Sequence, residues 1–518
     1  MEDKLQHLKE LLGEVDDLNK AAAVLDWDLQ TYMPPAGTET RAMQLATLQK
    51  LAHARFVSDE VGQLLADLQP LAAELAFESD AASLIRVTAR EYAKARKIPA
   101  ALVAELAQKT ALAHNIWMQA RQAQDFAQFQ PALEELVDLI RRKAEYLGYA
   151  EHIYDPLLDI YEPGLKTAEV TAIFDVLKAE LIPLIREIAA QRDVVQDTVF
   201  QGTFEVEKQW QFGVEVLKQI GYDFERGRQD KSAHPFTTSF SPDDVRVTTR
   251  LDSNLFTSAF FSSVHEGGHA LYEQGVAPAL VRTPLCSGAS MAVHESQSRL
   301  WENIIGRSRA FWTYFLPRLQ QLYPAQLADA TVERVYQAVN VVRPDYIRVE
   351  ADELTYNLHI FLRFELETAL MAGEIAVKDL PELWNHKMQT YLGLTPPNVA
   401  LGVLQDVHWS AALFGYFPTY ALGNVLSVQF YDCLLRDRPN LSEEISRGEF
   451  APLLAWLRQQ IHVHGAKFTP PELVRRVTGA QIDPQPYVNY LKNKYRELYK
   501  SGLTHYPPQS PRQRGEVC

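Results

Sequence analysis

Two histidines four residues apart, with a glutamate directly after the first, stand at His265-Glu266-Gly267-Gly268-His269. On a helix, positions i and i+4 share a face, so both imidazoles can reach one metal ion. Glu266 stands beside that face, where a carboxylate can take a proton from a water whose pKa zinc lowers to about 7. Phe260, Phe261, Val264 and Leu271 are spaced to pack such a helix into the interior. Gly267 and Gly268 weigh mildly against a helix, at roughly 1 kcal/mol each relative to alanine. A helix that keeps them is expected to need close backbone approach beside the metal.

A catalytic zinc site takes three protein ligands and keeps one position open. The candidate for the third is Glu295, 26 residues after His269. That distance allows a loop through Pro278, Pro284 and Gly288 and a returning helix. The competing reading of Glu295 is an i,i+4 ion pair with Arg299. His294 is a rival ligand, but adjacent helical residues point about 100° apart, so only one of the two can face the metal.

The elements that must carry these residues are mostly helical. Leu5, Leu8, Leu12, Val15, Leu18, Ala22 and Leu25 recur at helical spacing up to the breaker Pro34-Pro35-Ala36-Gly37. A second helix is expected from about Glu39 to His53, and further amphipathic helices through residues 60–145, packed as hairpins. Residues 152–166 are turn-rich, and helices resume at 167–195, 204–220 and over most of 296–500. One segment changes period. Val245, Val247, Thr249 and Leu251 alternate with Asp244, Arg246, Thr248 and Arg250, which is a strand pattern just before the motif helix. The fold class expected is mostly α, one helical domain over 1–504 (two lobes around a groove are compatible) with a small edge sheet near the metal helix. Residues 505–518 lack apolar periodicity and are expected to be a disordered tail.

Composition narrows the function. The 518 residues are 47% hydrophobic, with a formal net charge of −15, as in a soluble globular chain with a large core. The charge argues against a general nucleic-acid or anionic-membrane surface. There is no 18-residue apolar run to span a membrane, and the acidic N-terminus lacks a signal-peptide pattern. Three cysteines are too few for a disulfide framework, so the expected location is the cytoplasm.

Six stretches, in order, carry a resemblance: His234-Pro235-Phe236; Asp244-Val245-Arg246-Val247-Thr248; His265 to His269; His294-Glu295-Ser296-Gln297; Ile347-Arg348-Val349-Glu350-Ala351-Asp352; and Gly402-Val403-Leu404-Gln405-Asp406-Val407-His408-Trp409. Over roughly residues 5–500 the chain resembles the Taq-type metallocarboxypeptidases. The resemblance implies a helical, grooved zinc-peptidase fold. It implies His265, His269 and Glu295 as ligands of one zinc ion per chain and Glu266 as general base, with cobalt also supporting activity. It implies removal of single residues from peptide C-termini with broad side-chain tolerance, and a homodimer.

The remaining motifs suit such an exopeptidase. A free α-carboxylate is well bound by a fixed arginine through paired hydrogen bonds. Arg348 is the first choice, with Asp352 expected one turn later on the same helix face to hold the guanidinium; the alternative is a surface ion pair. Arg246 is the second choice, on what is expected to be an edge strand able to pair with extended substrate; the alternative is a salt bridge with Asp244. An oxyanion donor is needed beside the metal. Tyr420, then Tyr416, are the candidates, with His408 as a partner donor; for each tyrosine the alternative is a core aromatic with a satisfied hydroxyl. Asp406 is expected to orient His408 or a metal-bound histidine, and His234 is left unassigned. Two other functions remain: an endopeptidase or dipeptide-releasing carboxypeptidase on the same scaffold, and a non-catalytic helical scaffold with a structural metal. An intact Glu266 counts against the second, because a structural site closes its fourth position and has no use for a base.

Overall fold

The computed structural model describes residues 1–191, 194–195 and 198–499; the expected tail at 505–518 lies outside them. The chain begins with a helical hairpin, Glu2–Thr31 against Thr38–Phe56, turned by a short 3-10 segment at Pro35–Gly37. Proline fixes φ and lacks an N–H, so it stops the first helix and starts the turn. Asp59–Glu74 and Asp80–Lys97 follow, their first turns capped by the Ser58 and Ser79 hydroxyls. Leu8, Leu12, Val61, Leu65 and Ile85 close a satellite core. Val276, Leu280 and Leu285, from the loop after the motif helix, reach into that core and tie the N-terminal helices to the site. The other helices surround one large core that runs from Ala113 to Tyr499.

Three strands form the only sheet among the described residues: β1 (Gly227–Lys231), β2 (Thr237–Ser241) and β3 (Asp244–Thr249), in the order β1-β3-β2. β1 runs parallel to β3, and β2 antiparallel to it with an irregularity between Ser239 and Ser241. Val245 and Val247 point inward, as the alternation requires. β3 is therefore the central strand, not the edge strand expected for Arg246; the outer strand nearest the motif helix is β2.

The motif helix spans Phe256–Glu273. Phe260, Phe261, Val264 and Leu271 are all buried, with Phe260 set against Phe212, Phe311 and Trp312. Burial of that kind contributes about 1.5–3 kcal/mol per large side chain, enough to outweigh two helical glycines. The glycines have the expected steric role. A Cβ on Gly268 would meet Ser298 Cα at 2.7 Å and the Gln297 carbonyl at 2.8 Å, so the Met291–Arg299 helix lies directly on the motif helix. A Cβ on Gly423, in the Pro418–Asp437 helix, would meet Glu295 Cγ at 2.5 Å. Glu295 is thus held between two helices that approach it through glycine.

Candidate active site

His265, His269 and Glu295 come together, with one possible ligand atom from each within 4.8 Å of the others. Glu295 Oε2 lies 3.6 Å from His265 Nε2 and 3.4 Å from His269 Nε2. Tetrahedral ligands on bonds of roughly 2.0–2.1 Å are separated by about 3.3 Å, so the spacing fits a zinc-sized ion. The outward nitrogens are already engaged: His265 Nδ1 with Glu302 Oε2 at 2.8 Å, and His269 Nδ1 with His294 Nδ1 at 2.6 Å. Both Nε2 atoms are therefore the ones free to ligate, and the two-nitrogen, one-carboxylate donor set fits a divalent metal of the zinc class. His294 faces His269 from behind, at Nδ1, and is not among the three residues whose ligand atoms converge. The Glu295–Arg299 ion pair is also present, through the other carboxylate oxygen, at 2.6 Å. The ion pair leaves Oε2 facing the two imidazoles, so it is compatible with the ligand reading of Glu295.

Charge is balanced tightly here. Arg299 lies between Glu295 and Glu302, which precede and follow it on one helical face. Burial pushes Glu302 up, but Arg299, His265 and Arg307 outweigh burial and hold it at about 2. Burial lowers His269 to about 4, which keeps its imidazole neutral, as a ligand must be. Glu302 lies in a π-helical stretch, Leu300–Ile305, that continues the Glu295 helix.

Glu266 is buried, 7% exposed, and borders the cleft. Burial raises its pKa above the ordinary carboxylate value. Its Oε2 accepts a hydrogen bond from the Thr237 hydroxyl of β2 at 2.7 Å, and the same hydroxyl lies 2.9 Å from the Glu266 carbonyl. The sheet therefore serves to fix the glutamate.

The cleft has a volume of about 1170 Å³ and opens between the motif helix, β2, residues 343–352 and the 416–420 segment. That exceeds the usual small-ligand pocket and suits a peptide chain. Arg348 lies in it, 7% exposed. Its Nε donates to Asp406 Oδ1 at 3.0 Å, and Nη1 to the Tyr356 hydroxyl at 2.8 Å. Asp406 also takes Arg363, which is fully buried, through Oδ2 at 2.7 Å. Burial pushes Asp406 up, but the Arg363 and Arg348 guanidiniums outweigh it and hold it below the carboxylate range. Two cations share one anion, which leaves excess positive charge on the cleft side.

Tyr420 and Tyr416 both border the cleft. The Tyr420 hydroxyl is 3.2 Å from His408 Nε2, and Arg348 lies over its ring at 4.9 Å. His408 is not among the residues lining the cleft and meets it through Tyr420. Burial, then the Arg348 charge, lower His408 to about 3, so it is neutral. Tyr416 packs edge-on against Tyr161 with centroids 5.0 Å apart.

Three expectations are corrected. Asp352 does not hold Arg348. Residues Arg348–Glu350 form a 3-10 turn, Ala351 is extended, and Asp352 instead holds the turn before the next helix by accepting from Leu354 N, Thr355 N and the Thr355 hydroxyl. Asp406 is 3.9 Å from His408 Nδ1, beyond hydrogen-bond range, and serves the two arginines. Arg246 is in a two-point pair with Asp244, both contacts 2.8 Å, over the Trp27 ring and outside the cleft lining. The His234 ring is exposed; its carbonyl accepts from the Ser232 hydroxyl.

Several contributors escaped the sequence reading: Thr237, Glu273, Glu302, Tyr356 and Arg363. Glu273 and Glu302 had a usable signal, since Glu273 is one turn after His269 and Glu302 two turns after Glu295. Thr237 and Arg363 had none, because their partners are distant in sequence.

A model of the carboxypeptidase Taq (M32) metallopeptidase family matches residues 7–495. Thermostable carboxypeptidase 1 of Thermus thermophilus is 42% identical over 506 residues, covering 95% of this chain and 98% of that protein. Carboxypeptidase 1 of Bacillus subtilis is 39% identical over 490 residues, covering 95% and 97%. The crystal structure of the M32 carboxypeptidase of Deinococcus radiodurans R1 superposes with a TM-score of 0.93 at 40% identity, covering 96% of this chain and all of that one.

Proposed function

The chain belongs to the carboxypeptidase Taq (M32) family of metallopeptidases and is a metallocarboxypeptidase, and we propose that it releases single amino acids from peptide C-termini with broad side-chain tolerance. His265, His269 and Glu295 would hold the metal, with zinc favoured by the donor set and cobalt expected to substitute. Zinc there supplies Lewis-acid polarisation of the scissile carbonyl and acidification of a water. Glu266, with Oε2 held by Thr237, takes the water proton on Oε1 and passes it to the leaving amine. Burial raises its basicity toward that task. In the Nε2–H tautomer, His408 donates to the Tyr420 oxygen and leaves the phenolic O–H free to donate to the oxyanion. Tyr416 is the second candidate donor.

Arg348 is proposed to bind the substrate carboxylate. The observation that carries the exopeptidase reading is this buried arginine, anchored on one side by Asp406 and Tyr356 and open on the other to the cleft that holds the metal ligands. Such anchoring sets a fixed distance between carboxylate and scissile bond. A homodimer is also proposed, from the family resemblance, and a cytoplasmic location from the three cysteines, too few for a disulfide framework. Among the described residues, no helix is long and apolar enough to cross a membrane.

The test is a mass-spectrometric time course on a ten-residue peptide with a free C-terminus, with and without chelator. A chelator-sensitive ladder losing one residue per step is expected. Internal cuts or two-residue steps would move the carboxylate site relative to the metal. No cleavage with zinc supplied would overturn the peptidase chemistry altogether.

A further inference from the structure

The two histidines of the motif are supported in different ways. His265 meets a carboxylate directly, Glu302 Oε2 at 2.8 Å from Nδ1. His269 meets another histidine: its Nδ1 is 2.6 Å from His294 Nδ1. His294 in turn places Nε2 2.7 Å from Glu273 Oε1. Glu273 is buried, 8% exposed, one helical turn beyond His269 on the motif helix. Neither Glu273 nor the His269–His294 contact has a place in the catalytic steps described above.

Valence fixes the protons along this chain. A hydrogen bond between two Nδ1 atoms holds one proton, so one ring donates and the other accepts. When His269 Nε2 gives its lone pair to a metal, its Nδ1 carries hydrogen and must donate. His294 Nδ1 is then bare, so its proton is on Nε2, aimed at the Glu273 carboxylate. Each link permits only one orientation of the next. A carboxylate at the far end therefore selects the tautomer of His269 that can bind metal, with a second imidazole interposed to span the gap.

We propose that His294 and Glu273 are positioning residues that act in series, orienting His269 and fixing its tautomer so that the metal is held. This rests on the reading of His265, His269 and Glu295 as the metal ligands. The relay does not end at Glu273. The Ser239 side chain of β2 and the Lys20 charge both favour the ionised carboxylate, and Lys20 of the first helix donates to the Ser239 carbonyl at 2.9 Å. The N-terminal hairpin thereby braces the strand that holds the far end of the chain. The two ligand histidines are thus held from opposite sides, one from the Glu295 helix and one from the sheet and N-terminal hairpin.

The experiment measures zinc affinity of the chelator-stripped full-length protein by competition with a chromophoric chelator, and records the visible absorption of the cobalt-loaded form. Outer partners of this kind typically alter metal affinity by about 10- to 100-fold. Glu273→Gln keeps the shape of the side chain, and its amide can turn an N–H toward His294 Nε2, which drives the His294 proton onto Nδ1 against His269. A loss of zinc affinity of about 10- to 100-fold is expected, with an altered cobalt spectrum. His294→Phe breaks the same chain at its middle link and should lose as much. Because the links act in series, the double variant should be no weaker than the worse single variant. Wild-type zinc affinity in a folded Glu273→Gln protein, or losses that multiply in the double variant, would overturn the relay. If wild type itself took up no zinc, the metal-site reading would fall and the relay with it, an outcome distinct from failure of the relay alone.

Discussion

Arg348→Met is the substitution that separates an exopeptidase site from a general peptide groove. The structure confines its effect. Asp406 keeps Arg363, whose Nε is 2.7 Å from Oδ2, so removing Arg348 does not leave a buried carboxylate alone. The fold loses the Asp406 and Tyr356 hydrogen bonds, roughly 1–2 kcal/mol in all, spread over a large core. Methionine is long enough to keep the packing against the Tyr420 ring that the guanidinium now covers at 4.9 Å. Substrate binding should suffer far more. Truncating one partner of a buried, hydrogen-bonded charge pair costs about 2–5 kcal/mol, or roughly 30- to 5000-fold in kcat/KM. The assay compares a peptide with a free C-terminus and the same peptide as its C-terminal amide. Wild type should prefer the free acid by a factor in that range, and Arg348→Met should lose the preference because only the acid reaction slows. A variant that slowed on both peptides equally and kept its preference would show that Arg348 shapes the cleft without binding the carboxylate.

Glu266→Gln should retain one metal ion per chain by elemental analysis while kcat falls about 10²- to 10⁴-fold, the usual contribution of a general base. Gly268→Ala should push the motif helix off Ser298 and the Gln297 carbonyl, lowering the melting temperature and weakening zinc binding together, since overpacking a tight core typically costs about 1–3 kcal/mol; an unchanged metal-loaded melting temperature would refute the close-approach argument. Glu162, fully buried and accepting from Ala292 N, is pushed up to about 8 by burial, against 4.5 for the ordinary group. A raised carboxyl pKa gives stability that is fully present below about 4.5 and lost as pH rises through about 8, on the order of a few kcal/mol. Glu162→Gln should therefore flatten the loss of denaturant stability between those pH values in chelator-stripped protein, and parallel curves for variant and wild type would show that Glu162 is not its source.

What could be read from the chain follows the range of the interactions involved. Helical periodicity is local, so the motif helix, its buried face and the helix before Pro34 were legible. The i,i+4 pair of Glu295 with Arg299 and the i,i+2 pair of Asp244 with Arg246, each the alternative reading of its residue, are both formed. The same spacing logic failed for Arg348 and Asp352 because the backbone there is a 3-10 turn followed by extended Ala351, so the two side chains do not share a face. The central position of β3 was hidden for a different reason. Its parallel partner β1 reads Gly227-Arg228-Gln229-Asp230-Lys231, with no apolar alternation to mark a strand. That strand is held by its pairing with β3 and by the Arg228–Asp230 contact, both long or polar signals that periodicity does not see.

The site also shows why its ligands were legible and their supports were not. A metal sets strict demands on donor type and spacing, and those demands are written within a few residues on one helix. The supports need only place an oxygen or nitrogen at the right point in space, and any part of the chain can do so. Thr237 reaches Glu266 from a strand 29 residues earlier, and Asp406 reaches Arg348 across 58 residues. Where a support did fall on the ligand's own helix, as Glu273 does one turn after His269, the spacing was in the sequence, but its meaning depended on His294 arriving from the next helix. The chemistry of the site is therefore local in sequence, and the precision of the site comes from the fold.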